Sequence, residues 1–159
     1  MTQKPFYACG LKFSCKRCSA CCRKESGFVF LSEQDFKLLA AQLQMDTFGF
    51  VKTYCRWVFR GEKECLSLKE KSNFDCIFWD SCCTVYNARP LQCRTFPFWH
   101  SVLAAKDNWD ATAQGCPGMN SGELYDENAV FTYLELQAEQ QPIEKKYYAK
   151  HYLQSTRGI

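Results

Sequence analysis

Twelve cysteines in 159 residues, four of them in the run Cys15-x-x-Cys18-x-x-Cys21-Cys22, constrain this chain more than any other feature. Two residues between thiols let both sulfurs face one metal within a single tight turn. Three positions in that register plus a vicinal cysteine are a strong signal for a zinc or iron centre. Lys16, Arg17 and Ser19 surround these thiols with polar chain, which argues against their filling a core. Segment 9–24 has little hydrophobic periodicity, so its shape must be imposed by what its thiols bind. Neighbouring side chains diverge: Cys21 and Cys22 are expected to serve different metals, or only one of them is a ligand. Further thiols must then come from Cys76, Cys82, Cys83, Cys93 and Cys116. Structural zinc and the common iron–sulfur clusters each take about four protein ligands. Eight thiols therefore suffice for two centres or one larger one, and the spacing alone does not pair them.

The compartment decides whether such thiols are ligands or disulfides. Met1–Phe13 has no uninterrupted apolar stretch and no small-residue cleavage site, unlike a secretory leader. No later run is long and apolar enough to cross a bilayer, and no membrane association is expected. The expected location is cytoplasmic, where clustered thiols bind metal. A net charge of +3 is too mild for the basic footprint of a nucleic-acid binder. Lys12, Lys16, Arg17, Arg23 and Lys24 crowd the first cysteine run, and Arg89 and Arg94 the second. There they would offset the negative charge of a thiolate centre.

With 47% hydrophobic and 16% aromatic residues, the chain has enough apolar surface for one principal core. The expected organisation is a single domain over 1–159, with a Cys-rich metal-binding region at 9–118 and a C-terminal helical scaffold at 123–154. Phe28–Leu31 reads as a strand. Ser32 reads as an N-cap with Asp35 in a capping-box position, opening an amphipathic helix over 33–45. A shorter helix is expected from Phe48 to Cys55. Arg56–Arg60 and Cys65–Leu68 flank a polar turn as a hairpin. Cys76–Trp79 and Thr84–Tyr86 read as short strands, and Pro90 opens a short helix through Cys93. Ser101–Ala105 and Trp109–Ala113 bracket a polar triplet as a second hairpin. Glu127–Gln140 and Ile143–Leu153 read as helices. The fold class is α+β: a small, irregular, Cys-rich, metal-organised domain with short strands or hairpins and C-terminal helices.

Taken in order, Cys15-x-x-Cys18-x-x-Cys21-Cys22, Cys76-Ile77-Phe78-Trp79-Asp80, Cys83-Thr84-Val85-Tyr86, Arg89-Pro90-Leu91-Gln92-Cys93-Arg94-Thr95-Phe96-Pro97-Phe98 and Cys116-Pro117-Gly118 resemble the YkgJ-type cysteine-cluster family. This is the CxxCxxCC zinc- or iron-chelating domain. The resemblance covers roughly 15–118 and implies metal ligands at Cys15, Cys18, Cys21, Cys22, Cys76, Cys83, Cys93 and Cys116. Cys9, Cys55, Cys65 and Cys82 fall outside it, with Cys82 a spare thiol or an alternative to Cys83. The family domain is similar to part of the flagellin lysine N-methylase, which implies methylation-related chemistry on a protein substrate or partner.

Clustered ligands with a vicinal pair suit a polynuclear centre better than separate zinc knuckles. An iron–sulfur cluster or iron is therefore the expected cofactor, in redox or protein-modifying chemistry. The alternative is structural zinc, organising a surface that recognises protein or nucleic acid without catalysis. No GxGxxG or G-x-S-x-G occurs, and His100 and His151 have no H-x-x-x-H partner. Asp80 is expected to pair with Arg89 or Arg94, and Tyr86 and Tyr125 to pack. The sequence assigns no residue a catalytic role and leaves open whether the chain is an enzyme.

Overall fold

The computed structural model describes residues 4–23 and 25–153, so Lys24, expected among the counter-charges, lies outside the described residues. In chain order the strands are β1 (Leu11–Phe13), β2 (Cys55–Arg60), β3 (Lys63–Leu68), β4 (Trp79–Asp80), β5 (Cys82–Cys83) and β6 (Glu123–Tyr125). The helices are α1 (Glu33–Gln42), α2 (Thr47–Tyr54), α3 (Leu91–Arg94), α4 (His100–Leu103), α5 (Lys106–Gly115), α6 (Glu127–Glu139) and α7 (Lys145–Tyr152). The sheets are three antiparallel pairs, β1–β6, β2–β3 and β4–β5, so the chain is α+β. Among the described residues no helix is long and apolar enough to cross a membrane. The chain divides into two compact units, one of Met1–Cys21 with Thr95–Glu139 and one of Cys22–Arg94 with Gln140–Ile159.

In the first unit, β1 buries Leu11 and Phe13 while Lys12 between them faces out, the period-two alternation of a half-buried strand. It pairs with β6 in the register Leu11↔Tyr125 and Phe13↔Glu123. Phe98 is the hub of this core, stacked on Tyr133 at 5.3 Å and on Trp109 at 6.1 Å between ring centres. Val130 and Leu134 of α6, four residues apart on one helical face, are buried in the same cluster. The hairpin expected over 101–113 is not there. This segment forms α4 and α5, because its burial follows a helical period: Trp109 is buried, and Thr112 and Ala113 are half-buried on the same face. Lys106, read as part of a turn, instead opens α5 and bridges to Asp110 one helical turn on.

In the second unit, Ser32 caps α1 in a full capping box. Its hydroxyl accepts from the Asp35 N–H at 3.1 Å, and the Asp35 carboxylate accepts from the Ser32 N–H at 3.2 Å. Phe36, Leu39 and Ala40 are buried, as the spacing predicts, but α1 stops at Gln42 and the chain turns away through Gln44 (φ 52). Asp46 caps α2 by accepting from the Gly49 N–H at 2.8 Å. The expected hairpin is present as β2–β3, with Arg60 opposite Lys63 across a two-residue turn. Phe28–Leu31 runs along β3 with a single bridge, Phe30↔Ser67, and so falls short of a full strand. The two strands expected at 76–79 and 84–86 shrink to the two-residue pair β4–β5, and Tyr86–Ala88 is a 3-10 turn. Tyr148 of α7 is buried and packs edge-on against Phe36 at 6.1 Å.

Candidate metal centre

In the first unit, β1 delivers Ser14 and Cys15 to the loop that follows Cys116. The Ser14 N–H donates to the Gly118 carbonyl at 3.0 Å, and the Ser14 hydroxyl accepts from the Glu123 N–H at 3.0 Å. Two glycines permit this approach. A Cβ at Gly118 would lie 2.5 Å from the Ser14 carbonyl oxygen, and one at Gly122 would lie 2.0 Å from Ser14 Oγ. Cys116 follows α5 directly and is buried. Burial pushes its thiol above the ordinary value, amide hydrogen bonds from Gly118 and Met119 pull it back, and the nearby Cys18 and Cys21 push it up again. Two thiols of the head thus stand within electrostatic reach of a cysteine far along the chain. Between Cys15 and Cys21 the backbone passes through Arg17 (φ 53) and Ser19 (φ 63). Side chains in the left-handed region cost about 1–2 kcal/mol each, a strain that exposed chain bears only where something fixes it.

In the second unit, the Cys76 N–H donates to the Cys22 carbonyl at 2.7 Å. Beside that bond, Arg23 Nε lies 3.3 Å from Oδ1 of Asp75, a carboxylate 3% exposed that also accepts from Asn73 at 2.9 Å. The same guanidinium lies over the Trp79 ring at 3.8 Å. The Trp79 backbone N–H donates to the Cys76 carbonyl at 2.9 Å, and Trp79 is the strand partner of Cys83. Cys76 and Cys83 pack against one core. Cys82 is exposed and opposes Asp80, and as adjacent strand residues Cys82 and Cys83 point to opposite faces. Phe74 (φ 66) and Ser81 (φ 59) are left-handed, each two residues before Cys76 or Cys83. Cys93 sits on α3, whose Leu91 N–H donates to Asp35 Oδ1 at 2.8 Å and whose Arg94 lies 3.8 Å from the same oxygen.

The sequence matches the family CxxCxxCC, described as a "putative zinc- or iron-chelating domain", over residues 14–117. The chain belongs to this family. It is also 29% identical over 140 residues to an uncharacterized protein of Methanocaldococcus jannaschii, covering 82% of this chain and 70% of that one. No solved structure matches the chain.

Membership of the CxxCxxCC family makes metal chelation the property to test against the donors. Among the described residues, no three His, Cys, Asp or Glu side chains are already gathered as a set that could hold a metal ion. The donor chemistry nonetheless fits. Soft thiols suit zinc and iron, and the amides of Gly118 and Met119 aimed at Cys116 stabilise a sulfur anion. Cys55 and Cys65 contrast with this. Both are buried, Cys55 at the start of β2 and Cys65 within β3. Burial raises both thiols, Cys55 to about 12, and it is opposed by nearby Lys and Arg charges rather than by amide hydrogen bonds like those on Cys116.

The ion pairs differ from expectation. Arg94 reaches Asp35, and Arg89 lies over the Tyr86 ring at 3.6 Å, so neither is seen paired with Asp80. Asp35 is the partner because its position at the start of α1 already required a carboxylate there. His100 opens α4 on the exposed side, and His151 lies 4.2 Å from Tyr147 between ring centres. The cluster of Arg23, Asp75 and Trp79 had no signal in the sequence beyond lying next to cysteines.

Proposed function

We propose that this chain uses clustered thiolates to hold an iron–sulfur or iron centre that serves redox or protein-modifying chemistry on a protein partner, in a reducing compartment. What supports the reading is the approach of Cys116 to Cys18 and Cys21, with amide donors from Gly118 and Met119 on its sulfur. Residues so far apart in sequence converge here on thiols, a donor type shared by zinc and iron–sulfur ligation. When bound, the metal would supply electron transfer or Lewis acidity. The chain itself supplies eight ligand thiols: Cys15, Cys18, Cys21 and Cys116 in one unit, and Cys22, Cys76, Cys83 and Cys93 in the other.

Structural zinc is a second reading with its own support. Cys15, Cys18 and Cys21 are exposed, and a solvent-facing knuckle suits a redox-inert ion. Purification without oxygen, followed by iron, zinc and acid-labile sulfide analysis and a visible spectrum, separates the two. A brown sample with stoichiometric iron is the expected result. A colourless sample carrying only zinc supports the second reading, and one that binds neither refutes both.

A further inference from the structure

We infer that Trp79 is a positioning residue of the metal site, its indole N–H donating a hydrogen bond to the metal-bound sulfur of Cys83. The inference rests on the metal-binding reading above and deepens it. Trp79 Nε1 is buried and has no hydrogen-bond partner among the described residues. Arg56 Nε is in the same position, but Arg56 donates elsewhere, to the Gly27 carbonyl at 2.7 Å and to Glu70 at 2.9 Å. An indole has one donor and no acceptor, so at Trp79 the whole hydrogen-bonding capacity of the side chain goes unmet. Buried donors without a partner are rare in folded proteins, and each calls for a cause.

The surroundings of the ring supply one. Cys83 stands directly opposite Trp79 across β4–β5, and side chains so opposed share a face with Cβ atoms about 4.5–5.5 Å apart. Trp79 is held there from two sides. Its backbone N–H donates to the Cys76 carbonyl at 2.9 Å, and the Arg23 guanidinium lies over its ring, 3.8 Å from the centre. That cation is fixed in turn by Asp75 at 3.3 Å. It carries donors alone, so it offers the indole N–H no acceptor. A cysteine ligates metal as a thiolate, and hydrogen bonds to ligand sulfurs tune the centres they hold. An anionic sulfur takes more than one such bond, so the contacts that Cys83 already makes do not exclude this one. A donor unmet in the metal-free chain and satisfied in the loaded one favours the loaded form. Groups of this kind, one step removed from the ligands, change metal affinity about 10–100-fold when replaced.

The test uses the full-length protein, purified without oxygen, isotope-labelled at its four Trp indole nitrogens and loaded with a spin-active isotope of cadmium. The Trp79 indole proton, assigned by its loss in Trp79→Phe, is expected downfield of the other three and split by coupling to cadmium through the shared sulfur. A second measurement follows zinc release to a colorimetric chelator. Trp79→Phe is expected to keep the wild-type zinc per chain and to speed at least one phase of its release by about 10–100-fold. Trp57→Phe trims the same ring in a half-buried setting of the same unit, against Tyr148, and should release zinc at the wild-type rate. Should Trp79→Phe fail to fold, the splitting in the wild-type protein decides alone, the proton being assigned through its neighbour Arg23. An unsplit Trp79 proton in cadmium-loaded protein overturns the inference, as does Trp79→Phe that releases zinc no faster than Trp57→Phe. In both cases the metal-binding reading stands. A chain that takes up neither cadmium nor zinc refutes that reading and the inference with it.

Discussion

Gly122→Ala tests how the Cys15 segment is held, because its cost has two parts that a second change separates. Gly122 sits at φ 81, where a side chain costs about 1–2 kcal/mol. Its new Cβ would also meet Ser14 Oγ at 2.0 Å and Ser14 Cβ at 2.4 Å, and overpacking of that kind costs about 1–3 kcal/mol. The expected loss is therefore about 2–5 kcal/mol, a large fraction of the total stability of an ordinary domain. Ser14→Gly alone removes the hydrogen bond to the Glu123 N–H, worth about 1 kcal/mol, and adds backbone freedom. In the Ser14→Gly background the steric part disappears, so Gly122→Ala should cost only its conformational share. The coupling read from the cycle is about 1–3 kcal/mol. Gly118→Ala is the control: its Cβ meets the Ser14 carbonyl oxygen at 2.5 Å, and removing the Ser14 side chain leaves that atom in place. Urea midpoints at constant m give the four free energies. Metal content should fall with stability in Gly122→Ala, since Ser14, which the new Cβ would meet, directly precedes Cys15. Equal costs of Gly122→Ala in both backgrounds, or rescue of Gly118→Ala by Ser14→Gly, would refute the contact.

Three further outcomes follow from the same structure. Hydrogen bonds from Lys37, Tyr152 and Tyr147 hold the Glu33 carboxyl at about 2, against an ordinary 4.5. A depressed carboxyl stabilises the fold above its unfolded value, and that stability is lost as pH falls from about 4.5 towards about 2. Glu33→Gln should flatten this acid limb in urea titrations, and an unchanged limb would contradict the hydrogen bonds. Burial holds the Cys55 proton up to about 12, against an ordinary 9.0, so the unfolded chain ionises first and stability falls as pH rises between those values. Cys55→Ala should reduce that alkaline slope without changing bound metal; loss of metal would make Cys55 a ligand after all. Ser32→Ala removes the hydroxyl half of the capping box and leaves the Asp35 carboxylate on the backbone N–H; it is expected to cost about 1 kcal/mol, read as a shift in the urea midpoint.

The parts of the fold that were legible in the sequence are those in which local chemistry and tertiary packing ask for the same thing. Ser32 with Asp35 marked the start of α1, and the spacing of Phe36, Leu39 and Ala40 marked its buried face. The β2–β3 hairpin announced itself through apolar runs about a polar turn. The hairpin expected at 101–113 failed because Val102, Leu103 and Trp109 satisfy either period over so short a stretch. What decides for helices there is contact with Phe98, a residue whose position no local pattern reveals. Strands β1 and β6 went unseen for a related reason. Each is three residues long and exists through its partner more than a hundred positions away.

The candidate site shows the same division in sharper form. Cysteine spacing is legible because a thiol ligand is conspicuous, but what orders the ligands in space is carried by residues that look ordinary. Asp35 and Asp75 are both almost fully buried, the rarest environment for a carboxylate, and each is bonded to a segment that carries a cysteine of the family pattern. Asp35 holds the helix that carries Cys93, and Asp75 holds Arg23 beside the Cys22–Cys76 bond. Were either carboxylate a metal ligand or a proton shuttle, its oxygens would be turned towards the thiols. Instead they are engaged by backbone N–H groups, an asparagine and two arginines. The buried acids of this chain therefore anchor the segments that carry Cys22, Cys76 and Cys93. For that reason Asp75→Asn should loosen metal held through Cys76 while leaving every thiol in the chain intact.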